Sequence, residues 1–346
     1  MLEKNALAQL TLSNIRGYLR EPEAIFWTYG FPLLMVVGLG VAFQGTGSRP
    51  VAFDVVEGAA AQKVITAVGQ NPSFQIAIHP AATAFARLRG NKTTLVLIPD
   101  QCGGFEYHYD PSNPEAKAAR SAIDDALQRA AGRTDPQPTR DVIVNAPGSR
   151  YVDFLVPGLI GMNLMGGGMW GVGFGLVDQR MKKLLKRLIS TPLRRPQFLL
   201  SVVGPRLFFF VPEAFVLLGA AHLLFGVPIQ GSLLSIFIVG LTGAATFSGM
   251  GLLAASRARR IETISGIMNL VMLPMWLCSG IFFSAQRFPQ WMQPFIQALP
   301  LTQLINALRA VILEGQSLPS QSLALSVMGV WMSLSFLLAV KWFRWS

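Results

Sequence analysis

Hydrophobic residues in this chain are grouped in long runs that carry almost no charge. Residues 207–256 contain a single formal charge, Glu213, and are interrupted near Gly226-Val227-Pro228. That stretch is long enough for two helices, because a helix needs about 20 apolar residues to cross a bilayer. Four further runs have no charge and are long enough for one helix each, namely 24–48, 154–177, 263–286 and 315–340. The pattern predicts six membrane-spanning helices.

The six helices, called spans 1 to 6, are joined by segments of very different length. The predicted fold class is a mainly α membrane protein in which an α+β extracytoplasmic domain is inserted between spans 1 and 2. The predicted spans are 24–45, 151–177, 204–226, 232–255, 263–283 and 319–341. The other predicted segments are an interfacial helix at 1–23, the inserted domain at 46–150, cytoplasmic loops at 178–203 and 256–262, a re-entrant segment at 284–314 and a tail at 342–346.

The inserted domain has alternating strand and helix patterns. The predicted strands are 51–56, 74–79, 93–98, 105–109 and 141–145, and the predicted helices are 59–69, 81–89 and 115–131. About 100 residues are enough for a modest core of its own. Residues 90–94, GNKTT, contain Gly and Lys but lack the phosphate-loop pattern, so we interpret them as a turn before a strand.

The charges are distributed unevenly and indicate the orientation. The chain is 51% hydrophobic and 14% charged, with a formal net charge of +11. Residues 49–153 carry eleven Lys or Arg and eleven Asp or Glu, whereas residues 178–206 carry eight basic residues against one acid. Short loops rich in Lys and Arg stay in the cytoplasm, while long domains cross the membrane largely regardless of charge. We therefore expect both termini in the cytoplasm, the inserted domain outside, and no nucleic-acid partner.

Residue types that carry out enzyme or metal chemistry are sparse in the sequence. The histidines His79, His108 and His222 have no second ligand at a useful spacing, and Cys102 and Cys278 lie on different elements. No catalytic residue, metal site or disulfide is predicted from these positions. The sequence also has no ATP-binding motif, so any ATP would be hydrolysed by a partner.

Two helices are predicted at the cytoplasmic membrane surface. Residues 1–23 have apolar positions at helical spacing, and we interpret them as a helix lying on the membrane rather than as a cleavable signal. Residues 179–192, QRMKKLLKRLISTP, predict an amphipathic helix, which is either a docking element for a cytoplasmic partner or a positive anchor on anionic lipid. The candidate docking residues are Arg180, Lys182, Lys183, Leu184, Leu185, Lys186, Arg187 and Leu188.

Span 2 contains a row of glycines that favours close helix packing. Gly167, Gly171 and Gly175 lie four residues apart. Small residues at this spacing form a groove in which a second helix can approach the backbone closely. That helix belongs either to the same chain or to a second copy, and the sequence leaves both interpretations open.

Glu213 is the one acid within a span. Ionisable residues inside a membrane are costly and are functional candidates for that reason. Its predicted partner is Arg206, His222 or a residue of a second copy. The alternative role is a structural hydrogen bond to a neighbouring helix.

Residues 280–312 combine aromatic residues and prolines directly after span 5. This composition suits short helices that enter the outer leaflet and return, provided that protein or water shields the non-helical backbone. An interfacial loop with an aromatic belt is the alternative interpretation.

Together these segments resemble the ABC transporter permeases of the ABC type-2 family. The likeness extends over nearly the whole chain and depends on the order and spacing of four features rather than on one motif. They are Arg20-Glu21-Pro22 before span 1, the inserted domain with LVLIPDQ at 95–101, KLLKRLISTP at 183–192, and PMWLCSGIFF at 274–283 followed by Phe288-Pro289-Gln290-Trp291 and Leu299-Pro300-Leu301-Thr302 with Arg309.

The resemblance implies a six-span half-transporter that pairs with a second permease copy, identical or related, and binds a separate cytoplasmic ATP-binding-cassette subunit. The segment matching 180–191 would couple the permease to that ATPase. The segment matching 285–310 would form re-entrant helices over the outer cavity. This chain would bind no cofactor itself, since ATP and Mg²⁺ would lie on the partner subunit.

The sequence therefore favours a transport subunit that exports a drug-like, lipidic or other amphipathic substrate across a bacterial inner membrane. A membrane enzyme is disfavoured, because the clustered His, Asp or Glu residues that it would need are missing. The alternative is a non-transporting sensor or assembly protein that binds a ligand through the inserted domain.

Overall fold

The polypeptide forms two units, one from residues 1–44 with 144–346 and the other from residues 45–143. The structure is a computed structural model and describes residues 2–43, 50–58, 61–100, 104–134, 137, 150–185 and 195–343. The predicted strand at 141–145 and the candidate residues Lys186, Arg187 and Leu188 lie outside the described residues. The first unit is helical, and the second contains a small sheet.

Among the described residues, six helices are long and apolar enough to cross a membrane, as the hydrophobic pattern predicts. A helix of 31 residues, the length of spans 2 and 3, is about 46 Å long and exceeds the roughly 30 Å of a bilayer's hydrocarbon core. The six spans are Pro22–Ala42, Tyr151–Met181, Arg195–Phe225, Leu233–Ala255, Ile261–Cys278 and Leu318–Trp342.

Several helices contain local irregularities. A separate helix, Leu2–Leu19, precedes span 1. Span 1 is π-helical over Phe26–Gly30 and continues as an α-helix over Phe31–Phe43. Span 2 contains a π-helical stretch at Gly167–Gly171, where the absence of side chains on the glycines lets the backbone widen. Span 6 begins with a 3-10 turn at Leu318–Gln321.

Several helix ends differ from their predicted positions, and span 2 continues to Met181 rather than ending at 177. Within the described residues, span 3 is already helical at Arg195 rather than from 204, and its first turns contain polar residues that a hydrophobicity pattern excludes. Span 5 ends at Cys278 rather than at 283. The next residues leave the helix, and Gly280 has a φ of 81°, a left-handed conformation that glycine adopts at little cost.

The amphipathic helix predicted over 179–192 is not continuous. Span 2 extends into this segment, and the chain then turns at Lys182 and Lys183. The amide of Lys182 donates to the Asp178 carbonyl at 2.9 Å and that of Lys183 to the Arg180 carbonyl at 3.0 Å. Lys183 has a φ of 59°, which ends the helix. The hydrophobic pattern could not predict this break, because Lys is a good helix former.

Spans 2 and 4 form the centre of the helical unit. Both are mostly buried, whereas spans 1, 5 and 6 expose most of their length. A Cβ atom on Gly168 would lie 2.9 Å from the backbone of Phe247 and of Ser248. A Cβ atom on Gly251 would lie 2.7 Å from the Gly168 carbonyl oxygen. Glycine at these positions therefore brings the two backbones into direct contact.

The chain after span 5 forms a bent pair of helices. The two parts, Gln290–Ala298 and Pro300–Ile312, meet at an angle of 86°. Pro300 lies in the first turn of the second part, where its fixed φ suits a helix start. Such a bent pair is either a broken span or a re-entrant segment. The re-entrant form predicted for 284–314 is one of these two.

The second unit is an α+β domain, as the sequence predicts. Its strands are β1 Val51–Val56, β2 Phe74–His79, β3 Leu95–Pro99 and β4 Phe105–His108. Strand β1 pairs in parallel with β2 and β3, and β4 pairs antiparallel with β3, which gives the order β2-β1-β3-β4. A core that includes Phe53, Leu95 and Ile123 lies between the sheet and the helices. The helices of this unit are Ala61–Val68, Ala81–Arg89 and Pro114–Ala130.

Residues 90–94 form a turn before β3, where Asn91 has a φ of 55°. The side chain of Asn113 accepts a hydrogen bond from the Glu115 amide at 2.9 Å and caps the long helix. This cap satisfies an amide that would otherwise have no partner in the helix.

Candidate functional site

The Glu213 carboxylate lies in a buried polar network between spans 1, 2 and 3. The exposed fraction of Glu213 is 1% and that of Arg206 is 8%. The Arg206 guanidinium donates from Nη1 to Glu213 Oε2 and from Nη2 to Glu213 Oε1, the latter at 3.3 Å. A spacing of seven residues is close to two helical turns, so both side chains lie on one face of span 3. Of the three predicted partners, Arg206 makes the contact, whereas His222 Nδ1 lies 2.9 Å from the Val227 carbonyl oxygen.

Asn163 connects this ion pair to spans 1 and 2. Its Nδ2 atom donates to Glu213 Oε1 at 2.5 Å and to the Thr28 carbonyl oxygen of span 1 at 3.1 Å. The Asn163 carbonyl oxygen accepts from Arg206 Nη2 at 3.3 Å. Asn163 is not among the predicted site residues, although its amide interrupts an otherwise apolar run at 154–177. This isolated polar side chain in an apolar run is the feature from which a role for Asn163 could be predicted.

The N-terminal helix is attached to the same network. The Tyr18 hydroxyl donates to Thr28 Oγ1 and also lies 3.2 Å from the Ala24 carbonyl oxygen. Nearer its start, the helix contacts span 3, where Asn14 Nδ2 donates to the Ser201 carbonyl oxygen at 3.1 Å. The helix predicted to lie on the membrane surface is thus packed against span 3 of its own chain.

The three glycines predicted as a packing face have different surroundings. A Cβ atom on Gly167 would collide with the Arg206 guanidinium, so this glycine makes room for the ion pair. Gly171 and Gly175 have no atom of the described residues within 4 Å of the position of a Cβ. The contact with span 4 is made instead by Gly168, which the predicted row did not include.

Arg180, predicted as a docking residue, binds the end of span 4. Its guanidinium donates to the Ala255 carbonyl at 2.9 Å, to the Ser256 carbonyl at 3.1 Å and also to the Ala258 carbonyl. It lies 5.8 Å from the centre of the Phe343 ring. The last carbonyls of a helix lack partners within the helix and carry partial negative charge. Arg180 therefore fastens the end of span 2 to the end of span 4.

The described residues after Arg180 are divided between core and surface. Leu185, one of the predicted docking residues, is 1% exposed and packs in the hydrophobic core of this chain. Leu184 is 39% exposed, and Lys182 and Lys183 are also exposed. Lys182 Nζ lies 2.7 Å from Asp178 Oδ2, and this hydrogen bond raises the pKa of Lys182.

A further arginine, Arg150, binds carbonyl oxygens at the C-terminal end of span 3. Arg150, just before span 2, donates to both carboxylate oxygens of Asp153, at 2.8 and 3.1 Å. It also donates to the Phe225 carbonyl at 2.9 Å and the Gly226 carbonyl at 3.0 Å. Asp153 has an exposed fraction of 0%, so its charge is balanced within the protein. Arg150 and Arg180 thus connect the two ends of span 2 to the ends of spans 3 and 4.

Comparison with curated proteins identifies several related transport proteins. The chain is 29% identical over 198 residues to ABC transporter G family member 20 of Dictyostelium discoideum, covering 57% of this chain and 26% of that protein. It is 26% identical over 164 residues to the inner membrane transport permease YadH of Escherichia coli, covering 47% of this chain and 63% of YadH. It is 23% identical over 163 residues to the probable multidrug ABC transporter permease YbhS of E. coli, covering 47% of this chain and 43% of YbhS.

The similarity to each of these relatives is limited to part of its length, between about a quarter and somewhat under two thirds. The family model for ABC-2 family transporter proteins, by contrast, matches residues 22–341. That match runs from the first residue of span 1 to the last but one of span 6 and includes the inserted domain. Six spans, an inserted α+β domain and a family match over most of its length show that this chain is a membrane protein of the ABC-2 transporter family.

Proposed function

We propose that the chain is the permease subunit of an ATP-driven exporter. A cytoplasmic ATP-binding-cassette subunit would bind ATP and Mg²⁺ and hydrolyse ATP, since this sequence has no ATP-binding motif of its own. Two permease copies, identical or related, would enclose the substrate pathway. The family membership supports this proposal, and the observation that favours it most is the junction at Arg180.

The Arg180 junction offers a route for coupling ATP hydrolysis to the spans. The basic segment 182–194 follows directly after Arg180, whose guanidinium holds three carbonyl oxygens at the end of span 4. A force on that segment would therefore act on spans 2 and 4 together, the two most buried spans. An ATPase that bound this segment differently in two states would shift the spans between two arrangements.

The polar network favours movement of spans 1 to 3 as one group. Separation of Arg206 from Glu213, or of Asn163 from Thr28, would leave a charge or a polar group without a partner in a region that excludes water. Such separation is costly in a low-dielectric environment. Rearrangement between the two states would then occur around this group rather than within it.

The substrate that we propose is amphipathic and drug-like or lipidic. The exposed faces of the spans are apolar, and the relative YbhS is described as a probable multidrug permease. We place the protein in a bacterial inner membrane with both termini in the cytoplasm. Support comes from the inner membrane permease YadH and from the basic residues of 178–206.

Affinity purification from native membranes in mild detergent, with mass spectrometry of the proteins recovered, tests this proposal. We expect an ATP-binding-cassette subunit with the wild-type chain and its loss when Lys182, Lys183 and Lys186 are changed to Glu together. Arg287→Glu, a charge reversal at an exposed position after span 5, serves as the control and should retain the subunit. Wild-type chain recovered without any ATPase would contradict the proposal and favour a sensor or assembly role.

A further inference from the structure

Arg309 lies in the second helix of the bent pair and holds three elements together. Its Nη2 atom donates to the Gly280 carbonyl oxygen at 2.6 Å, just after span 5. The same atom donates to the Phe154 carbonyl oxygen of span 2 at 3.1 Å, and Nε lies 3.3 Å from that oxygen. The guanidinium carbon is 3.6 Å from the centre of the Phe154 ring. One side chain thus connects span 2, the end of span 5 and the bent pair.

The backbone just after span 5, which Arg309 binds at Gly280, is non-helical. Residues 279–289 connect span 5 to the bent pair, with turns and bends at 279–283 followed by a 3-10 turn at Ala285–Arg287. The carbonyl of Phe282 in this linker accepts a hydrogen bond from the Tyr151 hydroxyl at 2.8 Å. Span 2 approaches the linker backbone closely, since a Cβ on Gly158 would lie 2.8 Å from the Ile281 carbonyl oxygen. Side chains from other elements, rather than the linker's own backbone, therefore satisfy these two carbonyls.

The charge of Arg309 is stabilised by dipoles and an aromatic ring. Within the described part of the chain, no carboxylate forms an ion pair with it. A carboxylate partner would make release of a half-buried guanidinium very unfavourable. Two backbone carbonyls and a ring face hold it by weaker interactions. Such a contact can open and close without leaving a buried carboxylate unpaired.

We propose that Arg309 is a positioning residue for transport, which holds the linker and the bent pair against span 2 and releases them when substrate leaves the membrane. This inference rests on the proposed exporter function. The set of Arg309, the Phe154 ring and carbonyl, and the Gly280 carbonyl is called the Arg309 clamp. The clamp is near the N-terminal end of span 2, whereas Arg180 is at the C-terminal end of the same span.

Hydrogen exchange measured by mass spectrometry tests the clamp. The amides of 281–288 are followed in the full chain in lipid nanodiscs with its ATPase, first without nucleotide and then trapped with ATP and vanadate. We expect slow exchange in the wild type without nucleotide and faster exchange in the trapped state. Arg309→Gln should exchange about tenfold to hundredfold faster than the wild type without nucleotide, because the charge-assisted hydrogen bonds to the Gly280 and Phe154 carbonyls are lost.

Three further variants separate the clamp from a general loss of structure. Arg287→Gln removes an exposed arginine of the same segment and should exchange like the wild type in both states. Arg309→Lys keeps the charge but cannot form the planar fork, so its exchange should lie between those of the wild type and Arg309→Gln. Tyr151→Phe removes the hydrogen bond to the Phe282 carbonyl and serves if Arg309→Gln does not fold. It should speed exchange at the linker alone.

Two results would overturn the proposal. Equal exchange in Arg309→Gln and the wild type would show that Arg309 does not hold the linker. Equal exchange in the wild type with and without trapped nucleotide would show that the contact is only structural. If no ATPase is recovered, the exporter function fails, while the comparison of Arg309→Gln with Arg287→Gln on the chain alone still decides whether the clamp holds the linker.

Discussion

At the residue scale, four arginine side chains connect the helices of the helical unit to one another. Arg206 neutralises a buried carboxylate, and Arg150, Arg180 and Arg309 bind carbonyls at or just beyond helix ends. A guanidinium has five N–H donors in a rigid plane and stays protonated, so it can satisfy several carbonyl groups at once. Lys could not replace it at these sites, because an ammonium group lacks that planar geometry.

The ion pair of Arg206 and Glu213 should respond to mutation as a unit. We expect Glu213→Gln to destabilise the protein by about 3 kcal/mol, because Arg206 keeps a buried charge without its partner. The double variant Arg206→Met with Glu213→Gln should recover most of that loss, since no charge then remains buried. Thermal unfolding in detergent for the two single variants and the double variant measures this coupling.

Independent, additive losses would contradict the expected coupling. The same variants also distinguish a structural from a functional role of Glu213. A double variant that unfolds like the wild type but no longer supports transport would assign a function to the pair, whereas retained transport would leave it a packing role.

The position of Glu213 could be predicted from the sequence, but its contacts could not. A single acid in a long apolar run stands out without any structural information. Its partner among Arg206, His222 and a second copy depends on side-chain direction, which spacing alone leaves open. Arg180 was assigned to the docking surface because it lies in a basic segment. Its true contacts, at Ala255 and Ser256, are distant in sequence and arise only from the packing of spans 2 and 4.

At the scale of the elements, close packing of spans 2 and 4 depends on particular glycines. The backbone of span 4 lies directly against Gly168, whereas Gly171 has open space around it among the described residues. The two positions lie three residues apart on one span, Gly168 buried and Gly171 exposed. They therefore form a matched pair for mutation.

We expect Gly168→Ala to destabilise the protein by about 1 to 3 kcal/mol, because its methyl group would collide with backbone atoms that cannot move aside. Gly171→Ala should change the stability by no more than about 0.5 kcal/mol. Unfolding midpoints in the same detergent compare the two variants. Equal losses would show that the predicted packing of spans 2 and 4 is wrong.

The cap that Arg180 provides for span 4 gives a further prediction. Arg180→Met should destabilise the protein by about 2 kcal/mol, since carbonyls at the end of span 4 lose a charged donor. The variant should still bind the ATPase but hydrolyse ATP without transport. The basic segment 182–194 would then no longer be connected to span 4 through Arg180. Arg259→Met, at an exposed position of the neighbouring loop, is the control. Loss of ATPase binding in Arg180→Met alone would instead support the original docking assignment.

Elements were easier to predict than their ends. The hydrophobic runs indicate six spans because the bilayer demands a minimum apolar length, and alternating patterns in 51–98 indicate the strands of the inserted domain. The turn at Lys183 was not predictable, since its left-handed backbone has no signature in residue type. The extension of span 3 to Arg195 was missed because polar residues continue a helix beyond the apolar region.

At the scale of the whole molecule, the contacts divide the helical unit into two groups. The polar network joins the N-terminal helix to spans 1, 2 and 3. Arg180 and Arg309 join span 2 to the ends of spans 4 and 5 at opposite ends of the bundle. Span 2 belongs to both groups. We therefore expect it to transmit movement between the basic segment at one end and the bent pair at the other.

Native mass spectrometry of the complex purified from membranes is the most direct test of the central claim that this chain is one subunit of an ATP-driven transporter. We expect an assembly of two permease chains with two ATP-binding-cassette subunits, which dissociates when Lys182, Lys183 and Lys186 are changed to Glu. A wild-type chain that appears only alone, or only with copies of itself and without any ATPase, would show that this claim is wrong.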